Sequence, residues 1–111
     1  MRKRKGNKNG SLFDKHLLKR IKEDPAFAEA YFENLSELPL SAQFALLRRL
    51  YGITQEAIAS KLRIRQGHVS KLERKGSNHH LSQYEKVAKV LRFRLAVLPE
   101  GARIVFGQRA A

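Results

Sequence analysis

Residues 53–76 read ITQEAIASKLRIRQGHVSKLERKG, and the fold turns on this stretch. Thr54 is a residue type that caps a helix, and Ile58, Ala59 and Leu62 then recur on one side, so the spacing predicts a short helix over 54–62. Arg63-Ile64-Arg65 interrupts the pattern. A second helix is predicted over Gln66 to Lys75, with Val69 and Leu72 on its buried side. Neither helix is long enough to be stable alone, so the two must pack on each other. Small Ala59 allows a close crossing, and Ile64 and Val69 can close the angle between the helices. The unit is helix, tight turn, helix, with the second helix free to enter a major groove.

The exposed positions of the second helix carry suitable chemistry. Glutamine pairs with the adenine edge, lysine and arginine reach guanine O6 and N7, and residues at the start of such a helix lie nearest the bases. Those positions are Arg65, Gln66 and Gly67 and, one turn on, Ser70 and Lys71. Arg74, Lys75, Ser77 and Asn78, which follow the helix, suit backbone phosphates.

At these residues the chain resembles the helix-turn-helix of the lambda-repressor and Cro family. The Thr54-Gln55-Glu56 opening, Ala59 five residues after Thr54, and the Gln66, Val69, Ser70 and Glu73-Arg74 pattern recur there in the same order. YEKVAKVLRFRL, ending at Leu95, is similar to that family's closing helix and the start of a strand after it. The resemblance covers about residues 40 to 95 and implies that Gln55 anchors a phosphate and braces Gln66. Two departures stand out. Arg63 occupies a position where the family favours Gly, so a left-handed turn there carries strain. Gly67 stands where a base-reading polar side chain is common, which leaves fewer contacts for specificity.

Working outward toward the N-terminus, Ser41 is read as the cap of a helix whose Phe44, Leu47 and Tyr51, beside Leu46 and Leu50, face inward until Gly52 stops it. Before Pro39, Asp24-Pro25 opens a helix with Phe27, Tyr31 and Leu35 on one face. Ser11 with Asp14 reads as a capping box for a helix near 12 to 23, with Phe13, Leu17, Leu18 and Ile21 at helical spacing. Residues 1–10 are Lys, Arg, Asn and Gly with almost nothing to bury, and are expected to be disordered when free.

Charge follows the same divisions. The 111 residues hold 23 Lys and Arg against 10 Asp and Glu, a net charge of +13, which concentrates polyanions at the surface. Residues 1–22 carry nine basic residues against Asp14 alone, 23–47 hold five acids and no Lys or Arg, and 48–75 are basic again. A basic arm, an acidic patch and a basic centre are the implied surfaces.

Beyond the closing helix, FRLAVL, a Pro99-Glu100-Gly101-Ala102 turn and RIVF predict a β-hairpin. A lone hairpin is marginal in water, so it is expected to pack on the helices or pair with a second copy. The predicted architecture is therefore mainly α. A disordered basic arm (1–10) and an N-terminal helical segment (11–38) precede a lambda-repressor-like helix-turn-helix domain of four to five helices (39–92), and a short C-terminal β-hairpin (93–107) follows.

Several classes are excluded. With no cysteine there is no disulfide framework, no thiolate nucleophile and no Cys-based zinc site. His79 and His80 are adjacent, do not share a helical face, and lie far in sequence from His16 and His68, so no metal is expected. No triad order, phosphate-cradling glycine loop or paired acids in an apolar setting suggests an enzyme, and no cofactor is expected. No apolar run is long enough to span a membrane and residues 1–8 do not form a signal peptide, so a cytoplasmic protein without a membrane partner is expected.

The layout, the DPAFAEAYFENL lead-in and the size look like the HigA-type antitoxins, which repress their own operon and bind a RelE-like toxin. That resemblance implies duplex DNA and a basic toxin as partners, the toxin meeting the acidic helix at Phe27, Tyr31, Phe32 and Leu35. A stand-alone phage-like or chromosomal repressor explains the same motif and leaves the acidic helix as packing. An RNA-binding or protein-interaction module on the same fold is the reading from another class. A homodimer is expected on DNA, through the hairpin or, as second choice, the N-terminal helices.

Overall fold

A computed structural model of the chain describes residues 12–74, 76 and 79–106, with side chains from Asp14 onward. The basic arm, the Ser11 end of the capping box, the side chain of Phe13, and Lys75, Ser77 and Asn78 lie outside the described residues. Six helices follow in order: α1 (Leu12–Glu23), α2 (Pro25–Leu35), α3 (Leu40–Leu50), α4 (Gln55–Leu62), α5 (Gln66–Leu72) and α6 (Leu81–Leu91).

Local chemistry sets most of the boundaries. Asp24 Oδ1 accepts from the Phe27 N–H at 3.1 Å and Pro25 takes the first helical position, so α2 restarts after one non-helical residue. Thr54 Oγ1 accepts from the Ala57 N–H at 3.0 Å and caps α4. Arg63, at φ 59°, closes α4 in the left-handed region, with the Ile64 N–H donating back to Ala59 O at 3.0 Å. Arg92 does the same for α6 at φ 67°.

Two boundaries differ from the sequence expectation. Pro39, not Ser41, takes the N-cap position of α3, and Ser41 is buried inside the helix. In place of a side-chain cap, Gln43 Nε2 donates to Leu38 O at 2.9 Å and ties the preceding turn down. The second motif helix ends at Leu72 rather than Lys75. There the bonding tightens, with the Glu73 N–H shared between Val69 O and Ser70 O and the Arg74 N–H donating to Lys71 O.

Ile58 of α4 and Val69 of α5 are almost wholly enclosed and belong with Ala59 and Leu72 to one buried cluster. Each such aliphatic side chain contributes about 1.5–3 kcal/mol by burial. Phe44 of α3 stacks on Tyr84 of α6 with ring centroids 5.5 Å apart, and the Tyr84 hydroxyl donates to Leu72 O at 3.0 Å. Ile21, Ala28 and Leu35 join the same cluster, so α1 and α2 share one core with the motif. The inward face of α2 runs through Ala28 and Leu35, with Phe27 and Tyr31 at its margin. On α3, Phe44, Leu47 and Leu50 are buried as expected, whereas Leu46 and the C-cap residue Tyr51 stay just over a third exposed, Tyr51 resting edge to face on Phe93.

The C-terminal β-hairpin is not formed: among the described residues there is no strand. The turn is present, since the Ala102 N–H donates to Pro99 O at 3.0 Å around Gly101 at φ +84°. What differs is the destination of the following N–H groups. Ile104 and Phe106 donate to Glu33 and Glu29 of α2 instead of to the opposite arm. Two competing acceptors on a neighbouring helix thus replace the ladder.

Candidate nucleic-acid interface

The interface is built from the turn outward. The αL turn at Arg63 and the burial of Val69 and Leu72 in the core leave the opposite side of α5 in solvent. Arg65, Gln66, Gly67 and Lys71 are exposed there and Ser70 is half-buried. These five positions therefore lie on or next to one solvent-facing edge. Gly67 is open, and a Cβ placed on it would meet nothing within 4 Å. Arg74 is exposed just beyond the helix and Gln55 is half-buried at the start of α4.

Behind that edge lies a chain of four polar side chains. Arg48 of α3 grips Glu73 with two bonds, Nε to Oε2 at 2.6 Å and Nη2 to Oε1 at 3.1 Å, while its Nη1 donates to Ile53 O at 2.9 Å. The ion pair is shielded from water, with side-chain exposures of 14% and 8%. Desolvation at such a site is costly, and the pair tolerates it because the bidentate geometry and the extra bonds satisfy both groups. Glu73 Oε1 also accepts from Gln55 Nε2 at 2.9 Å. Gln55 Oε1 in turn accepts from Gln66 Nε2 at 2.5 Å.

This chain fixes which way each amide points. A carboxylate only accepts, so Gln55 must turn its NH₂ toward Glu73 and its oxygen toward Gln66. Gln66 must then donate one N–H inward. Its second N–H and its Oε1 remain, which is the donor and acceptor pair that meets adenine N7 and N6. Sequence reading found Gln55 and Gln66 but not Arg48 as their anchor. Arg48 lies 25 residues from Glu73, and only the Glu-Arg pattern pointed to Glu73.

The histidines are placed differently from their sequence spacing. His68 of α5 and His79 meet edge to face with ring centroids 5.8 Å apart, and His79 lies 6.4 Å from the Tyr84 ring. His79 Nδ1 is buried without a hydrogen-bond partner. Among the described residues no group of three His, Cys, Asp or Glu side chains gathers to hold a metal.

The four residues expected to meet a protein partner are all engaged within the chain. Leu35 is in the core. Phe27 lies beneath the Arg20 guanidinium, 4.4 Å from its ring centroid, and Tyr31 meets Phe32 edge to face at 5.3 Å. Phe32 contacts Phe93 at 6.1 Å and Phe106 at 5.7 Å. Burial pushes the Tyr31 hydroxyl above its ordinary range, with the charges of Asp14 and Tyr51 adding to it, and burial does the same to Tyr51.

No helix among the described residues is long and apolar enough to cross a membrane. Residues 44–98 match a family model described as helix-turn-helix. No curated protein and no solved structure gives a match.

Proposed function

We infer that this chain, which belongs through residues 44–98 to the helix-turn-helix family of the lambda-repressor and Cro type, is a sequence-specific DNA-binding regulator that serves as an antitoxin. It works by placing α5 in the major groove. Arg65, Gln66, Gly67, Ser70 and Lys71 meet base edges, and Gln55, Arg74, Lys75, Ser77 and Asn78 hold phosphates. The observation that carries this reading is the Gln66 amide, held by Gln55 with a donor and an acceptor left facing outward.

In this reading the protein is a cytoplasmic regulator and not an enzyme, and it represses its own operon. It binds a pseudo-palindromic site as a homodimer with half-site centres about 34 Å apart. Val97 and Leu98, 98% and 57% exposed, support a dimer contact on the C-terminal segment. The arm at residues 1–10 adds affinity by displacing counterions without selecting sequence. The acidic helix α2 offers a surface to a basic, RelE-like toxin.

A stand-alone repressor without a toxin is the second reading. It is favoured by one observation, the engagement of Phe27, Tyr31, Phe32 and Leu35 inside the chain. Footprinting on the DNA upstream of the protein's own reading frame tests the regulator, with protection of two half-sites expected. Co-purification with the product of the adjacent reading frame separates the two readings. Equal affinity for cognate duplex, random duplex and duplex RNA at high salt would overturn both in favour of a general RNA-binding or interaction module.

A further inference from the structure

Glu29 and Glu33 stand one turn apart on α2, and both accept main-chain protons from the far end of the chain. The Phe106 N–H donates to Glu29 Oε2 at 2.8 Å and the Ile104 N–H donates to Glu33 Oε2 at 3.4 Å. Two repeats make this pairing possible. Four residues of α-helix advance about 6 Å, and two residues of extended chain advance about 6.6 Å. Carboxylates at i and i+4 on a helix therefore fall in step with N–H groups at j and j+2 of an extended segment. The order is reversed, 104 on 33 and 106 on 29, so the segment runs antiparallel to α2.

Most of this contact reads backbone. Arg103 Nε lies 3.7 Å from Glu33 but is 81% exposed, so that ion pair adds little. The side chain that matters is Phe106, whose ring lies against Phe32 with centroids 5.7 Å apart. Of the two bonds, the one from Phe106 at 2.8 Å to a charged acceptor is of the stronger kind, and the 3.4 Å bond from Ile104 is the weaker.

We propose that residues 103–106 are a strap occupying the acidic and aromatic face of α2, so that a basic protein partner reaching this face with an extended segment must displace the strap from Glu29 and Glu33. The partner's nature rests on the toxin reading above. The strap itself rests only on the two bonds and the Phe32–Phe106 contact.

Amide hydrogen exchange on the full-length chain tests the strap directly. The Ile104 and Phe106 amides should exchange at least about tenfold more slowly than free-chain rates. Glu29→Ala with Glu33→Ala should bring both back to free-chain rates, and α2 should persist because alanine favours helix. Free-chain exchange in the wild-type protein, or protection that survives the double substitution, would overturn the proposal. Protection that falls on dilution would also overturn it, by showing that a second copy donates the segment.

Competition is tested with a labelled peptide of sequence PEGARIVF as the probe. Ile104→Pro with Phe106→Pro removes both donors from the full chain and leaves the glutamates in place. This variant should bind the peptide about tenfold or more tightly than the wild type, corresponding to the loss of one strong intramolecular competitor. Equal binding would overturn the competition. If the adjacent gene product fails to bind while the exchange result holds, the toxin reading fails and the strap stands.

Discussion

Gln66 donates to Gln55 because Gln55 has already committed its own amide nitrogen to Glu73, 2.9 Å away. The polarity of an exposed amide is thus set by a buried charge two side chains behind it. Gln66→Ala should cost about 1–3 kcal/mol at one base position and little elsewhere. Arg74→Ala should weaken every duplex alike and make the salt dependence shallower by about one counterion. Titrations on single-base operator variants at two salt concentrations distinguish the two effects.

Replacing the ion pair as a whole separates stability from orientation. Arg48→Met with Glu73→Leu removes two buried charges together, and its stability should stay within about 1 kcal/mol of wild type or rise. Glu73→Leu alone leaves Arg48 uncompensated and should cost about 3–5 kcal/mol. In the double variant Gln55 is free to turn, so discrimination at the Gln66 position should fall although the fold is intact. Denaturant unfolding and operator-variant binding read the two effects independently.

Arg63 holds φ 59° without being glycine. The left-handed region costs a non-glycine residue about 1–2 kcal/mol, and glycine's greater freedom in the unfolded chain offsets about half of that. Arg63→Gly should therefore raise stability by about 0.5–1 kcal/mol, seen as a higher urea midpoint at unchanged slope.

Gly67 lies inside α5 with open space where a Cβ would stand. Gly67→Ala should stabilise the protein by about 0.5–1 kcal/mol, because alanine loses less backbone entropy in a helix. Gly67→Ser should retain part of that gain and add a hydroxyl at the exposed edge. The check is thermal unfolding together with selection of preferred sites from a random duplex pool.

Tyr31 and Tyr51 both hold their protons more tightly in the folded protein than the ordinary value of 10.0 allows. The folded state thus keeps protons that the unfolded chain releases, so their stabilising effect is complete below about pH 10 and is lost as pH rises through the folded values. Thermal midpoints should fall above that pH. Tyr51→Phe should show a smaller alkaline decline than the wild type.

Local signals in the sequence were enough for the motif. Thr54 as cap, the Ile58, Ala59, Val69 and Leu72 pattern and the three-residue break all act within a few residues, and α4 and α5 form where they place them, α5 only a turn shorter. Arg63 was legible as a strained stand-in for glycine only through the resemblance to the lambda-repressor and Cro family, which favours Gly at that position. The Arg48–Glu73 anchor was not, because nothing local ties residues 25 positions apart. The C-terminal segment shows the same limit in reverse. FRLAVL, PEGA and RIVF favour a hairpin locally, but Glu29 and Glu33, more than seventy residues upstream, take the N–H groups that a ladder needs. His68 and His79 meet edge to face although eleven positions separate them, which their spacing does not announce.

The seven residues of α5 are too few to hold a helix unaided, yet the structure clamps them at both ends, through Gln55 on Gln66 and through the Tyr84 hydroxyl on Leu72 O. A helix fixed in this way has no ordering left to undergo when it meets a duplex. Association should accordingly show only the modest negative heat-capacity change of surfaces docking as rigid bodies, without the large increment that accompanies folding coupled to binding.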